Sequence, residues 1–384
     1  MKKIKYIIIF IICIFIFSSA NIVEAKADNL SDSLDTQLEH IDLSLLQEYL
    51  DGLQNTPINS FSLVVKNILS GDFNSSFSNF GSYVSSIFLS NLKSILPIFI
   101  TIIAISVIFK ILSTSKGGAN SEQITNVINL VHYLSLILLL STSFVSIFMS
   151  CKNTIENLSK LNEIMSPIII TLMVASGGSV SASIYKPVVS FLSSGIIKII
   201  LYLIFPLVGV ITILFFISKL SKDVKIVKFA EFFTSFIKWI LGIAITVFSI
   251  FLSIQGLSSA TFDGISIKAV KYAISNSIPL VGGFLKDGFD LMVAGSVLIK
   301  NSIGIGVVLL VIFTIISPII YMIIYSLVLK LVASITDLLG NNETAEICVN
   351  LSKSVTYLIS SILMVGFMIF ITILLMIMSA NAFI

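Results

Sequence analysis

The 384-residue chain contains no arginine: all 23 of its basic residues are lysines. Without a guanidinium fork there is no bidentate grip on phosphate or carboxylate, which argues against a dedicated phosphate or nucleic-acid site. Charge of either sign is scarce, at 11% of residues against about 25% in soluble domains. The three cysteines, Cys13, Cys151 and Cys348, have neither disulfide-framework nor metal-ligand spacing. The two histidines, His40 and His132, lie far apart and outside any catalytic motif. There is no Walker A loop, no metal-ligand set and no serine–histidine or cysteine–histidine arrangement, so neither catalysis nor a cofactor is expected.

What is present is apolar sequence. Hydrophobic residues make up 56% of the chain, and the mean hydropathy is +1.07. This is the composition of an integral membrane protein, and the fold class expected is all-α, a polytopic helical bundle with re-entrant or broken helices. Lys2, Lys3 and Lys5 precede the apolar run Tyr6 to Phe17, and small-residue patterns end at Ala20 and Ala27. Residues 1–27 therefore read as a signal peptide, with an uncleaved anchor as the alternative.

Residues 28–93 form an extracytoplasmic segment on this reading. From Asp28 to Asp51 there are seven acidic residues and no lysine. Leu30, Leu34, Leu38, Ile41 and Leu45 recur at helical spacing, giving an acidic amphipathic helix suited to docking on a partner or on the chain's own membrane domain.

Residues 94–384 form the membrane domain. Span candidates are 94–112, 127–149, 164–183 and/or 188–217, 239–257, 303–329 and 355–378. Lys219, Lys222, Lys225 and Lys228 form the densest basic cluster and belong in the cytoplasm. With the N-terminus outside, this favours six crossings plus one re-entrant element, with eight as the alternative. Helix breaks or close packing are expected at Gly177 and Gly178, at Pro206 and Gly209, and at Pro279, Gly282 and Gly283.

The stretch Ser277 to Gly306 is the most distinctive, because charge, glycine and apolar residues interleave there. Lys286 can pair with Asp290 at i,i+4. Only nine uncharged residues separate Asp290 from Lys300, about 14 Å of helix, so the piece reads as a re-entrant or interfacial hairpin leading into a span near Ile303. Gly288, Gly295 and Ser302 fall on one stripe, and Asp290 and Asn301 on another. A packing seam is one reading. The other makes Lys286, Asp287, Asp290, Gly295, Lys300 and Asn301 the lining of a polar path or the seat of a partner.

Three blocks resemble the stage III sporulation protein AE family of endospore-forming bacteria. They are Met165-Ser-Pro-Ile with Ala175-Ser-Gly-Gly-Ser and Tyr185-Lys-Pro187; Asp263-Gly264 with Lys268-Ala-Val-Lys-Tyr272; and Ile278 to Gly283 through Asp287, Asp290, Gly295 and Lys300-Asn301 to Gly304. The resemblance implies a non-enzymatic, multi-pass protein of the mother-cell membrane around the forespore. It also implies membership of a transenvelope, secretion-like channel complex needed for late forespore development. Its partners there would be ring-forming proteins, small membrane subunits and a cytoplasmic ATPase, besides the lipid itself. The alternatives are a stand-alone secondary transporter using Lys198, Asp287 and Asp290, and a scaffold without a conduit.

Overall fold

The computed structural model describes residues 38, 41–53, 56–72, 80–114, 121–218, 226–256, 268, 272 and 282–379. Residues 1–27, expected to be a signal peptide, Pro279, and Lys219, Lys222 and Lys225 lie outside the described residues. Every regular element among those described is helical: α1 (Ser44–Asp51), α2 (Phe61–Leu69), α3 (Phe80–Thr114), α4 (Ser121–Ala175), α5 (Ser179–Phe191), α6 (Phe205–Ile217), α7 (Ile226–Gly256), α8 (Gly282–Leu338) and α9 (Asn342–Met378). Two π-helical runs, Leu192–Ile197 and Ile200–Ile204, join α5 to α6. A chain so apolar satisfies its backbone within helices because lipid offers no hydrogen bonds. Among the described residues, six helical stretches are long and apolar enough to cross a membrane.

Two hairpins carry the architecture, and both reverse by the same chemistry. At the end of α4, Gly177 adopts φ 85° and the Gly178 N–H donates to Met173 O at 2.8 Å. Between α8 and α9, Gly340 adopts φ 72° and the Asn341 N–H donates to Thr336 O at 2.9 Å. A left-handed glycine followed by a bond spanning six residues closes a helix with its last carbonyls satisfied. The break expected at Gly177 and Gly178 is therefore real. It divides the 164–183 stretch between two helices, and Ile164 to Ala175 continues α4 as one 55-residue helix.

Two other expected breaks are absent. Pro206 sits in the first turn of α6, directly after the π-helical runs, so the lost donor is absorbed by a widened helix. Gly209 lies inside that helix with open space beside it. The expected hairpin before Ile303 is also not there: Gly282 to Leu338 is a single 57-residue helix, about 85 Å long. Its first turns contain no proline, and the glycines there are spread among helix-compatible residues.

α8 and α9 pack antiparallel along the centre. Ser326 and Ser352 share a hydrogen bond at 2.8 Å, and a Cβ on Gly366 would meet Ile315. α4 runs alongside α9 in register: Asn341 Nδ2 lies 3.5 Å from His132 Nδ1, and the Cys151 thiol reaches Leu358 O at 3.5 Å. α3 is held by Lys110 Nζ donating to Gly340 O at 3.1 Å and by Phe99 against Tyr325. Tyr133 donates to the Phe216 carbonyl. The ends of α3, α6 and the α8–α9 turn thus gather at one end of the bundle, the end to which the lysine-rich 219–228 segment attaches. This is the arrangement six crossings require.

α1 and α2 dock on α8, as an amphipathic segment would. Gln47 joins them, accepting from the Phe61 N–H at 2.7 Å and donating to Asn59 O at 3.2 Å. The buried face of α1 is Leu46 and Leu50, while Leu45 is 51% exposed. The expected periodicity through Leu45 fails because residues 41–43 are not helical and reset the register.

Candidate functional site

The distinctive stretch leads to the end of the α8–α9 hairpin away from its turn. Gly282, Gly283, Lys286, Asp287 and Asp290 occupy the first turns of α8, where only the backbone is described. From Met292 onward the side chains are placed. Gly295 and Ser302, expected on one stripe, are both buried, and Ser296 lies beside them on the buried side.

Lys300 is fully buried, and its ammonium donates to the backbone carbonyl of Ser379, the residue that ends α9. A helix C-terminus carries orphan carbonyls and partial negative charge, so a cation there is doubly favourable. The sequence reading grouped Lys300 with a polar lining; the fold instead seats it on the end of its own last helix. Asn301 is half-buried and has a partner of its own.

Just below, the helices touch through glycine. A Cβ on Gly304 would come within 2.4 Å of Ile377 Cγ1, and one on Gly306 within 3.0 Å of the Phe61 ring. Close approach of this kind is what small residues allow in membrane helices. On the other flank, Tyr49 donates to Thr314 Oγ1 at 2.8 Å, while that hydroxyl donates to Leu310 O at 2.7 Å. Burial pushes the Tyr49 phenol up to about 12. The N-terminal segment, residues 300–314 in the middle of α8 and the C-terminal end of α9 therefore meet in one junction, 79 residues apart in the case of Lys300 and Ser379.

The residues invoked for a transporter site are not brought together. Lys198 is exposed and lies seven residues above Phe205, which packs on Phe148 of α4. Asp287 lies near the far end of α8, roughly 40 Å higher along the bundle by helical rise. The thiols of Cys151 and Cys348 are free and buried. No group of three or more potential metal ligands occurs among the described residues. Contacts that sequence reasoning missed are Gly304 with Ile377 and Tyr49 with Thr314, each joining segments distant in the chain. A glycine and a threonine within apolar runs were the only signals.

Comparison with known proteins agrees with the resemblance. The stage III sporulation protein AE of Bacillus subtilis (strain 168) is 25% identical over 281 residues, covering 73% of this chain and 70% of that protein. No solved structure matches. The family model for stage III sporulation protein AE matches residues 59–380, from the end of the α1–α2 connection to just past the Lys300–Ser379 contact. The chain thus belongs to the stage III sporulation protein AE family.

Proposed function

We propose that this multi-pass helical protein of a sporulation family is a non-enzymatic core subunit of a transenvelope, secretion-like channel complex in the mother-cell membrane around the forespore. The observation that carries this reading is the family match across 59–380, which takes in every described helix but α1. Lys300, the one lysine or carboxylate buried among the described residues, is spent on the seam with Ser379, which suits a part that works by assembly. On this reading its partners are ring-forming proteins, small membrane subunits and a cytoplasmic ATPase. The acidic N-terminal segment lies on the forespore-facing side of the membrane, and the basic 219–228 segment in the mother-cell cytoplasm.

The test is a deletion in an endospore former, complemented by an affinity-tagged copy. Late forespore reporter expression should fall in the deletion and return on complementation, and the tagged chain should retain an ATPase and ring subunits in detergent. Normal spores from the deletion strain, or solute uptake by proteoliposomes containing this chain alone, would refute the assignment.

A further inference from the structure

Measured from its turn glycine, each of the two hairpins repeats the other. Ahead of Gly177 runs the 55-residue α4, and behind it the 39-residue helical stretch Ser179–Ile217. Ahead of Gly340 runs the 57-residue α8, and behind it the 37-residue α9. Residues 121–217 and 282–378 are thus equal in length. The caps agree bond for bond. Each glycine N–H donates three residues back, from Gly177 to Val174 O at 2.9 Å and from Gly340 to Asp337 O at 2.8 Å, and the N–H after it donates five residues back. The open ends agree as well. Tyr133, in the first third of α4, donates to Phe216 O; Lys300, in the first third of α8, donates to Ser379 O. Phe216 lies as many residues past Gly177 as Ser379 lies past Gly340. A long apolar helix precedes each hairpin, the 35-residue α3 and the 31-residue α7.

The two units run in opposite senses. His132 sits beside Asn341 and Cys151 beside Leu358, so α4 runs parallel to α9 and against α8. The open end of the first hairpin, at Tyr133, therefore meets the turn of the second, at Gly340. Inverted units of this build are a means by which membrane proteins rock between two arrangements, each unit taking the conformation the other held. Here the units are held in unlike conformations. α3, the first helix of its unit, crosses α8, the long helix of the other, with Phe99 against Tyr325 and Lys110 donating to Gly340 O at 3.1 Å. α7, the first helix of the second unit, packs instead against α6. The returning helices differ too: α9 is unbroken, whereas Ser179–Ile217 contains both π-helical runs, the kind of widened turn at which helices bend.

We propose that the chain is an inverted pair of three-helix units, 80–217 and 226–378, which exchange conformations. In the second arrangement α3 leaves α8, and α7 crosses α4 as α3 now crosses α8. Lys110 is the clasp of the observed arrangement. It is half-buried at one end of the bundle and grips a turn carbonyl of the opposite unit. One such bond shifts a two-state balance without being needed for either unit to fold. The exchange is a property of this chain and does not rest on the sporulation assignment.

The test uses the full-length protein in a cysteine-free background, spin-labelled in pairs and reconstituted in vesicles, with distances read by double electron–electron resonance. Leu112→Cys with Leu338→Cys follows α3 on α8, and Asn153→Cys with Ile243→Cys follows α7 against α4; all four positions are exposed. Lys110→Met should raise the population with a long 112–338 distance about tenfold, and raise the population with a short 153–243 distance by the same factor. Phe99→Leu, which weakens the other contact of α3 with α8, should move both populations in the same direction. Lys93→Met, at an exposed lysine of the same helix, should move neither. A lengthened 112–338 distance with 153–243 unmoved would mean that α3 merely detaches, and overturns the exchange. Distances that stay fixed in both Lys110→Met and Phe99→Leu overturn it as well.

Discussion

Lys300 and the end of α9 form a pair whose energetics can be separated by a double-mutant cycle. Lys300 is fully buried and donates to Ser379 O. Replacing it with methionine keeps the volume, removes a charge-assisted hydrogen bond of about 1.5–3 kcal/mol, and lifts the cost of burying the ammonium. These terms oppose each other, so Lys300→Met should cost only about 1 kcal/mol. Truncation after Ile377, with the new end made as the neutral amide so that no carboxylate replaces the carbonyl, removes the acceptor and leaves the cation buried, a situation that costs about 3–5 kcal/mol. The double variant should be more stable than the truncation alone by about 2 kcal/mol, because the stranded charge is gone. Thermal unfolding in detergent can be followed with a thiol-reactive dye, since Cys151 and Cys348 are buried until the bundle opens. A double variant no more stable than the truncation would refute the claim that the lysine is held there by the helix end.

Three further outcomes are expected. Gly304→Ala sets a Cβ 2.4 Å from Ile377 and should lower stability by about 1–3 kcal/mol, with partial rescue by Ile377→Val in the same dye assay. Tyr49→Phe should loosen α1 from α8 by about 0.5–1.5 kcal/mol, read by hydrogen exchange of the α1 amides. The Tyr49 phenol is raised from 10.0 to about 12, so its contribution to docking is complete below the unfolded value and fades as pH climbs from 10 toward 12. The Phe variant should lack that alkaline loss, and its persistence would exclude Tyr49 as the cause. Finally, Asp223→Cys in a cysteine-free background should be labelled from the cytoplasmic side only; labelling from outside would invert the topology.

Much of the fold was legible because it depends on local chemistry. Apolar runs longer than a bilayer, lysines at one set of helix ends, and a Gly177–Gly178 pair that permits a left-handed turn are all readable residue by residue. The interruption inferred from Pro206, and the hairpin inferred between Gly283 and Ile303, were not legible in this way. A proline removes one donor, and whether the helix stops, widens or continues depends on what packs around it. Here π-helical turns precede Pro206, and α8 begins at Gly282 and does not stop again until Leu338. Gly295 and Ser302 were recognisable as a small-residue stripe, but the sequence could not name the surface that stripe meets.

The amino-acid order by itself determined that this is a helical membrane protein, which end of the bundle is basic, and which family it belongs to. Tertiary structure alone decided height and partnership: that Lys300 closes the last helix, that Gly304 admits Ile377, and that Cys151 of α4 lies level with Leu358 of α9. Hydropathy measures how apolar a segment is and carries no information on what covers it. About half of the most apolar lengths of α8 and α9 is buried by other helices, so depth and neighbours emerge only when the chain is packed.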